Sequence, residues 1–374
     1  MNKKRILLIQ NCLSYGGTSS LILFIAKNLS DKYVFDLFCF EDNAPDKEKE
    51  FLSYGGEIIK SKRIDYNQRG LVGRLISYSQ RLFGKITREF ARLIKNRNYF
   101  AVHSFEDFSS GYYLKASKKV GITKRIVHFN IDHSVVRATN VINWFLLKKE
   151  ICLIKKYATV FAGGSIQSIP LSISKAKETI IINNPIDQKF VFDSNIPNNL
   201  CLLQVGTFND NKNQLFSIKI LDCLVHYYGL SDAKLVMVGQ QPEKEKSYIA
   251  QLLEAIEEYN LTNNVVIKNA VNHPEELYKE NSVLVFPSKK EAFGLVLTEA
   301  QACGMQCFSS TAAAKDTDLG GVYFHELEEG PNKWANEIFN FYKSSKYAKK
   351  RFDTKKFSSE IIKETYLSIY EKDK

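Results

Sequence analysis

Along nearly the whole chain, short aliphatic runs take turns with longer stretches whose apolar residues recur every three or four positions. A run of roughly four to eight apolar residues suits a strand buried on both faces, and a helix between two such runs returns the chain to the same sheet edge. The pattern predicts an α/β architecture of parallel sheets covered by helices. In the first half the predicted strands are Arg5–Ile9, Tyr33–Phe40, Ala101–His103, Arg125–Phe129, Thr159–Phe161 and Thr179–Ile182. In the second they are Leu200–Val205, Lys234–Val238, Val265–Ile267, Val283–Phe286 and Gln306–Phe308.

Between the two series lies NNPIDQKFVFDSNIPNN, residues 183–199, rich in Asn and Pro and prone to turns. The 374 residues suit about two domains. The expected division is 1–187, 188–355 and a closing helix in 356–374, where Phe357 to Tyr370 carry apolar residues at helical spacing. Two doubly wound domains facing each other would leave a ligand cleft at the carboxyl ends of their strands.

Several classes are excluded. The apolar run Ile6–Ile9 is too short for a signal peptide and reads as a first strand, and no run approaches the roughly 20 residues of a membrane span. The seven cysteines form no paired framework, and an odd count suits a reducing cytosol. Cys303 and Cys307 lack a His or Cys cluster that would complete a metal site. The net charge of +11 fits phosphate-rich partners. No nucleic-acid-binding motif is present, and the basic residues do not interleave with aromatics as stacking platforms would, so nucleic acid is not expected.

Three predicted strands run into glycine turns that open helices: Gly16-Gly17, Gly206 with Lys212, and Gly294 before a helix from Leu295 to Cys303, with Gly304 as its cap. Glycine lets backbone N–H groups approach an anion, and a helix N-terminus adds about half a positive charge. Three such ends at one cleft would suit a diphosphate, whereas each alone is equally the mark of a structural turn. Around the third turn stand Glu291, on the loop, and Glu299, inside the helix. Two carboxylates at those depths can accept hydrogen bonds from two sets of sugar hydroxyls. The other reading makes Glu291 a first-turn helix acid and Glu299 a solvated face residue.

The stretch FPSKKEAFGLVLTEAQACG resembles the Glu-x7-Glu signature of retaining GT-B glycosyltransferases of family 4. The order GG loop, VGTFNDNKNQ, LVMVGQQP and then the Glu-x7-Glu run is similar to that family as well. KRIVHFN, YATVFAGGS, KNQLF and EAQACGMQC resemble its capsular and exopolysaccharide branch. The resemblance implies a GT-B fold of two Rossmann-like doubly wound domains facing across a cleft, the first on the acceptor side and the second binding the nucleotide sugar. It implies a retaining, metal-independent glycosyltransferase acting from a nucleoside diphosphate sugar on a glycan or lipid-linked glycan acceptor, without a cofactor. Gly16 and Gly17 would line the donor pyrophosphate, Gly206 and Lys212 would bind phosphate, and Glu291 would hold the sugar hydroxyls. Backbone N–H groups of Phe293, Gly294 and Leu295 would lie nearby, and Glu299 would hold the ribose. His128 would stand near the transferred sugar, a place for which Asn130 and His133 also compete. His103 matches another family position and reads as structural. Contacts to the base would be backbone ones near Ala270 and Val271.

The chain also departs from the pattern. Thr207 stands where the family usually has Arg, and Lys315 stands about where the polysaccharide branch has Glu. Thr207 favours the alternative of a catalytically weak or inactive partner subunit of another transferase. The triplet Asp316-Thr317-Asp318 could suggest a metal pair but lies in a polar loop, and it reads as loop.

Residues 69–97 predict one amphipathic helix, with Arg74, Arg81, Lys85, Arg88, Arg92 and Lys95 on a narrow stripe beside an apolar face. Gly73 and Gly84 weaken it. Such a helix either lies on an anionic membrane or packs its apolar face on the domain core. The expected location is cytoplasmic, peripheral at the inner face of the plasma membrane.

Overall fold

The computed structural model describes residues 3–61, 81, 83–131, 140–271, 273–344 and 347–371. The chain forms two compact units, Met1–Asn184 with Glu360–Lys374, and Pro185–Ser359.

The first unit contains β1 Lys4–Ile9, α1 Gly17–Asn28, β2 Tyr33–Cys39, α2 Pro45–Ser53, β3 Ile58–Lys60, α3 Lys85–Ile94 and β4 Ala101–Ser104. It continues with α4 Ser110–Lys119, β5 Lys124–Phe129, α5 Val141–Tyr157, β6 Val160–Gly163, α6 Leu171–Ser174 and β7 Ile180–Ile181. Its sheet runs β3-β2-β1-β4-β5-β6-β7, with every pairing parallel. The aliphatic run of β1 explains its central place. Ile6 and Leu8 enter the core on one face, Leu7 and Ile9 that on the other, and all four are fully buried.

The second unit contains β8 Cys201–Val205, α7 Gln214–Asp222, β9 Lys234–Gly239, α8 Lys246–Glu258, β10 Val265–Asn269, α9 Pro274–Glu280 and β11 Val283–Phe286. Then follow α10 Leu295–Ala302, β12 Gln306–Ser310, β13 Val322–His325 and α11 Gly330–Lys343. Its order is β10-β9-β8-β11-β12-β13, again all parallel. The last helix, α12 Ser359–Glu371, returns to the first unit, where Ile362, Tyr366, Ile369 and Tyr370 join the core beside α1.

All eleven predicted strands occur, within a few residues at their ends. Two strands had no forecast, β3 and β13. Both are short and lie at sheet edges, where half-exposed residues leave a weak apolar signal. The units divide at Asn184–Pro185, three residues before the expected place, and the tail helix joins the first unit instead of standing apart.

The stretch 69–97 needs a correction. Residues 69–80 and 82 lie outside the described residues. The helix that follows starts only at Lys85, because Gly84 sits at φ +70° and breaks any continuous helix there. Arg81 does not share a free basic stripe. Its guanidinium lies 2.5 Å from Glu150, a buried carboxylate on α5. Thr87, Phe90 and Ile94 are the buried face of α3.

Candidate functional site

In both sheets the chain starts at a central strand, moves outward, and then returns to the other side of that strand. In the second unit this places the reversal between β8 and β11. Loops leaving the carboxyl ends of two such strands diverge and leave a crevice, which is where open α/β sheets take ligands. Gly206 and Lys212 follow β8, while Glu291, Phe293, Gly294 and Leu295 follow β11. The topology therefore brings together the two loops on which six of the predicted residues stand.

The first loop is held to the end of β9. Gly206 N–H donates to Val238 O at 2.9 Å and Phe208 N–H to Gln240 O at 2.9 Å. A Cβ at Gly239 would collide with the carbonyl of Gly206, so this crossing requires glycine at 239. The Lys212 N–H donates to both the carbonyl and the side-chain oxygen of Asn209, at 3.1 and 2.9 Å, and Asn213 adopts the left-handed conformation at φ 57° to start α7. The stem of Lys212 lies against Gly206. Its ammonium sits 4.9 Å from the ring centre of Phe286 and is ion-paired with Glu291.

The second loop is laced to the first. Lys289 N–H donates to Asn211 O at 2.8 Å, and Asn211 Nδ2 donates to Lys290 O at 3.0 Å. Asn213 Nδ2 reaches Pro287 O at 3.2 Å, and Lys289 Nζ pairs with Asp210 at 2.6 Å. Gly294, at φ +96°, turns the chain into α10 with no side chain capping the helix N-terminus. A side chain at 294 would be strained there and would press on Leu297. The Phe293 ring packs edge-on against Phe357 and is buried.

Glu299 lies in the second turn of α10 and is not a solvated face residue. The hydroxyl of the fully buried Tyr278, on α9, donates to Glu299 Oε2 at 2.8 Å. Glu299 keeps some accessible surface, yet atoms crowd its carboxyl. Burial pushes its pKa up to about 7, against the Tyr278 hydrogen bond and Lys189, which favour the charged form. Burial and the neighbouring carboxylate also raise the Tyr278 phenol well above its ordinary value.

Thr207 leaves a carbonyl that accepts from Gln214 Nε2 at 3.1 Å, and Lys315 is exposed on a turn beyond β12. Ala270 and Val271 are exposed just after β10. Asp318 Oδ1 accepts from the N–H groups of Gly320, Gly321 and Val322, at 2.7, 3.0 and 3.0 Å, so it builds the turn into β13.

The remaining predicted residues belong to the first unit. Gly16 precedes α1 at φ −99°, and among the described residues no side chain caps that helix. A Cβ at Gly16 or Gly17 would meet only ordinary contacts, 3.6 Å to Ser14 and 3.8 Å to Asn184. Neither strain nor crowding inside the protein asks for glycine here; what the pair provides is a bare helix N-terminus.

His128, on β5, is fully buried, and its two ring nitrogens have no hydrogen-bond partner among the described residues. It stacks on Phe105 at 5.0 Å, His103 at 5.5 Å and Tyr366 of α12 at 6.4 Å. Burial lowers its pKa to about 3, so it is neutral at physiological pH. Among the described residues its ring stacks on members of the core. His103 donates to or accepts from the Tyr370 hydroxyl at 2.8 Å within the same cluster. Asn130 spends its side chain on the carbonyls of Phe105 and His128. His133 lies outside the described residues.

Tyr278, Gly239 and the tethers Asn211, Asn213 and Lys289 had no place in the sequence reading. The Asn-rich FNDNKNQ carried a turn signal, but nothing local pointed to its partners across the sheet.

Residues 187–314, which contain both loops and both acids, match the family of glycosyl transferases group 1. The chain as a whole resembles EpsF of Bacillus subtilis, named as a glycosyltransferase, at 23% identity over 90% of this chain and 87% of that one. It also resembles the capsular polysaccharide biosynthesis glycosyltransferase CapH of Staphylococcus aureus, at 25% identity over 67% and 71%. Among solved structures, Alr3699/HepE of Anabaena in complex with UDP covers 98% of both chains with a TM-score of 0.76 at 16% identity. A second structure of that protein holds UDP-glucose and has a TM-score of 0.75 over 97% of this chain. The fold of the chain is thus the two-domain α/β GT-B fold.

Proposed function

We propose that the chain moves a sugar, with retention of configuration, from a nucleoside diphosphate sugar to a lipid-linked or growing polysaccharide acceptor. The observation that carries this reading is the Lys212–Glu291 pair, held by laced loops at the reversal of the second sheet and flanked by the uncapped start of α10. A diphosphate needs a fixed cation and free N–H groups; a sugar needs a carboxylate that accepts from its hydroxyls. UDP and UDP-glucose in the HepE structures support a donor of that class.

Lys212, Gly206 and the α10 N-terminus take the diphosphate, and Glu291 takes the sugar hydroxyls. Glu299 takes the ribose, and the bare start of α1 at Gly16 and Gly17 offers N–H groups to an anion. The departing phosphate oxygen accepts the acceptor's proton as the anomeric carbon gains positive charge, so positioning and charge stabilisation dominate. Lys212 and helix N-termini, not a divalent ion, neutralise the diphosphate in this reading. The chain works at the cytoplasmic membrane face, with the exposed basic residues of α3 toward anionic lipid. Arg88 and Arg92 of α3 are exposed, and among the described residues no helix is long and apolar enough to cross a membrane.

Thr207 favours a second reading, a weak or inactive partner subunit. A thermal-shift panel of UDP, GDP, ADP and CMP tests the first. The true nucleotide at 100 times its Kd stabilises by about 2.7 kcal/mol. Donor hydrolysis or transfer that persists in EDTA then separates an enzyme from a binding-only subunit. No shift with any nucleotide refutes the first reading.

A further inference from the structure

The chain's sharpest surface anomaly lies on α5. Val141, Ile142, Trp144 and Phe145 are 70, 47, 46 and 60% exposed within one turn and a half. Isolated exposed apolar residues are ordinary, but four large ones side by side mark an interaction surface. We propose that this end of α5 docks the chain on an anionic lipid surface, the aromatics entering the headgroup boundary and the lysines behind them meeting lipid phosphates.

Helical spacing organises the face. Val141, Phe145, Lys148, Cys152 and Lys156 follow one another at intervals of three or four, all exposed, while Leu146, Glu150, Leu153 and Ile154 point inward. The outward stripe is therefore apolar in its first turns and basic in its last. Trp144 packs edge-on to Phe145 at 4.9 Å, and the Lys148 ammonium stands 5.5 Å from the Trp144 ring centre.

The acid of α5 is out of play. Glu150 is buried and paired with Arg81. α4, which packs against α5, and α3 behind it add exposed Lys118, Arg88 and Arg92 against exposed Glu89. Protein interfaces are depleted in lysine, whereas Trp and Phe beside Lys is the composition of helices that lie in a membrane boundary. That difference selects lipid over a protein partner.

The inference rests on the membrane-peripheral reading above but on different residues. The test uses the full chain with vesicles of phosphatidylcholine alone and of phosphatidylcholine and phosphatidylglycerol in equal parts. The chain's two tryptophans make Trp144 the reporter, because Trp334 is fully buried. Expected are co-sedimentation with the anionic vesicles only, a blue shift of emission, and protection of Trp144 from acrylamide. W144S/F145S lowers vesicle partition by more than about tenfold while melting temperature and nucleotide shifts stay at wild-type values. K148Q/K155Q/K156Q removes the preference for the anionic vesicles.

Co-sedimentation with unchanged Trp144 emission, abolished by R88Q/R92Q alone, overturns the α5 assignment and leaves the membrane reading intact. No co-sedimentation overturns both. A W144S/F145S variant that turns a self-associating chain into a monomer shows a protein interface and also overturns the inference.

Discussion

Glu299 gives the most demanding test, since the same carboxyl should make the chain less stable and the ligand tighter as pH rises. Its pKa is about 7 in the folded chain against an ordinary 4.5. Between these values the folded state holds a proton that the unfolded state has released. Stability therefore falls as pH climbs from about 4.5 through 7. The ceiling is roughly 3 kcal/mol, 2.5 units at 1.36 kcal/mol each, and solvent reaching Glu299 brings it to about 1–2 kcal/mol. Glu299→Gln keeps the shape and can still accept from Tyr278, so the apoprotein should gain that amount at pH 8 and nothing at pH 4.5.

Ligand binding runs the other way. Ribose hydroxyls donate to the ionised carboxylate, so apparent affinity follows its ionised fraction and weakens about tenfold from pH 8 to pH 6. The assay is calorimetric titration with UDP-glucose, or the nucleoside diphosphate sugar that the panel selects, because its diphosphate does not titrate in this range. Tyr278→Phe removes the 2.8 Å donor that favours the charged form, so the midpoint should rise by up to about one unit. A purely structural Tyr278 would lower affinity without moving the midpoint. A pH-independent affinity in wild type, with binding otherwise normal, would refute the reasoning.

Three further outcomes are expected. Lys212→Ala should weaken nucleoside diphosphate binding by about tenfold or more while changing the melting temperature little, as calorimetry and thermal denaturation would show; unchanged affinity moves the phosphate site elsewhere. Glu291→Gln should remove most transfer and leave the circular dichroism spectrum intact, and wild-type turnover would exclude Glu291 from the sugar. Gly239→Ala should cost about 2–4 kcal/mol in urea unfolding, because its Cβ would occupy the place of the Gly206 carbonyl; a neutral result would show that the β8 loop moves freely.

How much was legible depended on the range of the interaction. Aliphatic runs such as that of β1 betray strands because both faces are buried, and the glycine turns betray loop ends because few residues tolerate such backbones. The Lys212–Glu291 pair joins residues 79 positions apart, and Arg81–Glu150 joins residues 69 apart. Periodicity placed Arg81 on the basic stripe because helical spacing does not see a carboxylate on another helix. Glu299 read equally as a surface acid until Tyr278, 21 positions earlier, was placed beside it. His128 stood at a strand end in sequence; the helix that buries it comes from the far end of the chain.

The ion pair itself implies an order of events on the proposed reading. Without ligand, Lys212 and Glu291 neutralise each other, with side chains only 23 and 18% exposed. A carboxylate engaged by an ammonium is a poor acceptor for sugar hydroxyls, and an engaged ammonium is a poor partner for phosphate. A bound diphosphate competes for Lys212 with more than one negative charge, so it draws the ammonium away and leaves Glu291 free to accept. The sugar pocket is thereby completed by the diphosphate. The Asn211, Asn213 and Lys289 tethers keep the two loops at fixed spacing while the partners exchange, so little backbone reorganisation opposes the swap. A free sugar without its nucleotide meets a neutralised pair and should bind weakly, which gives this site a physical reason to accept only the activated donor.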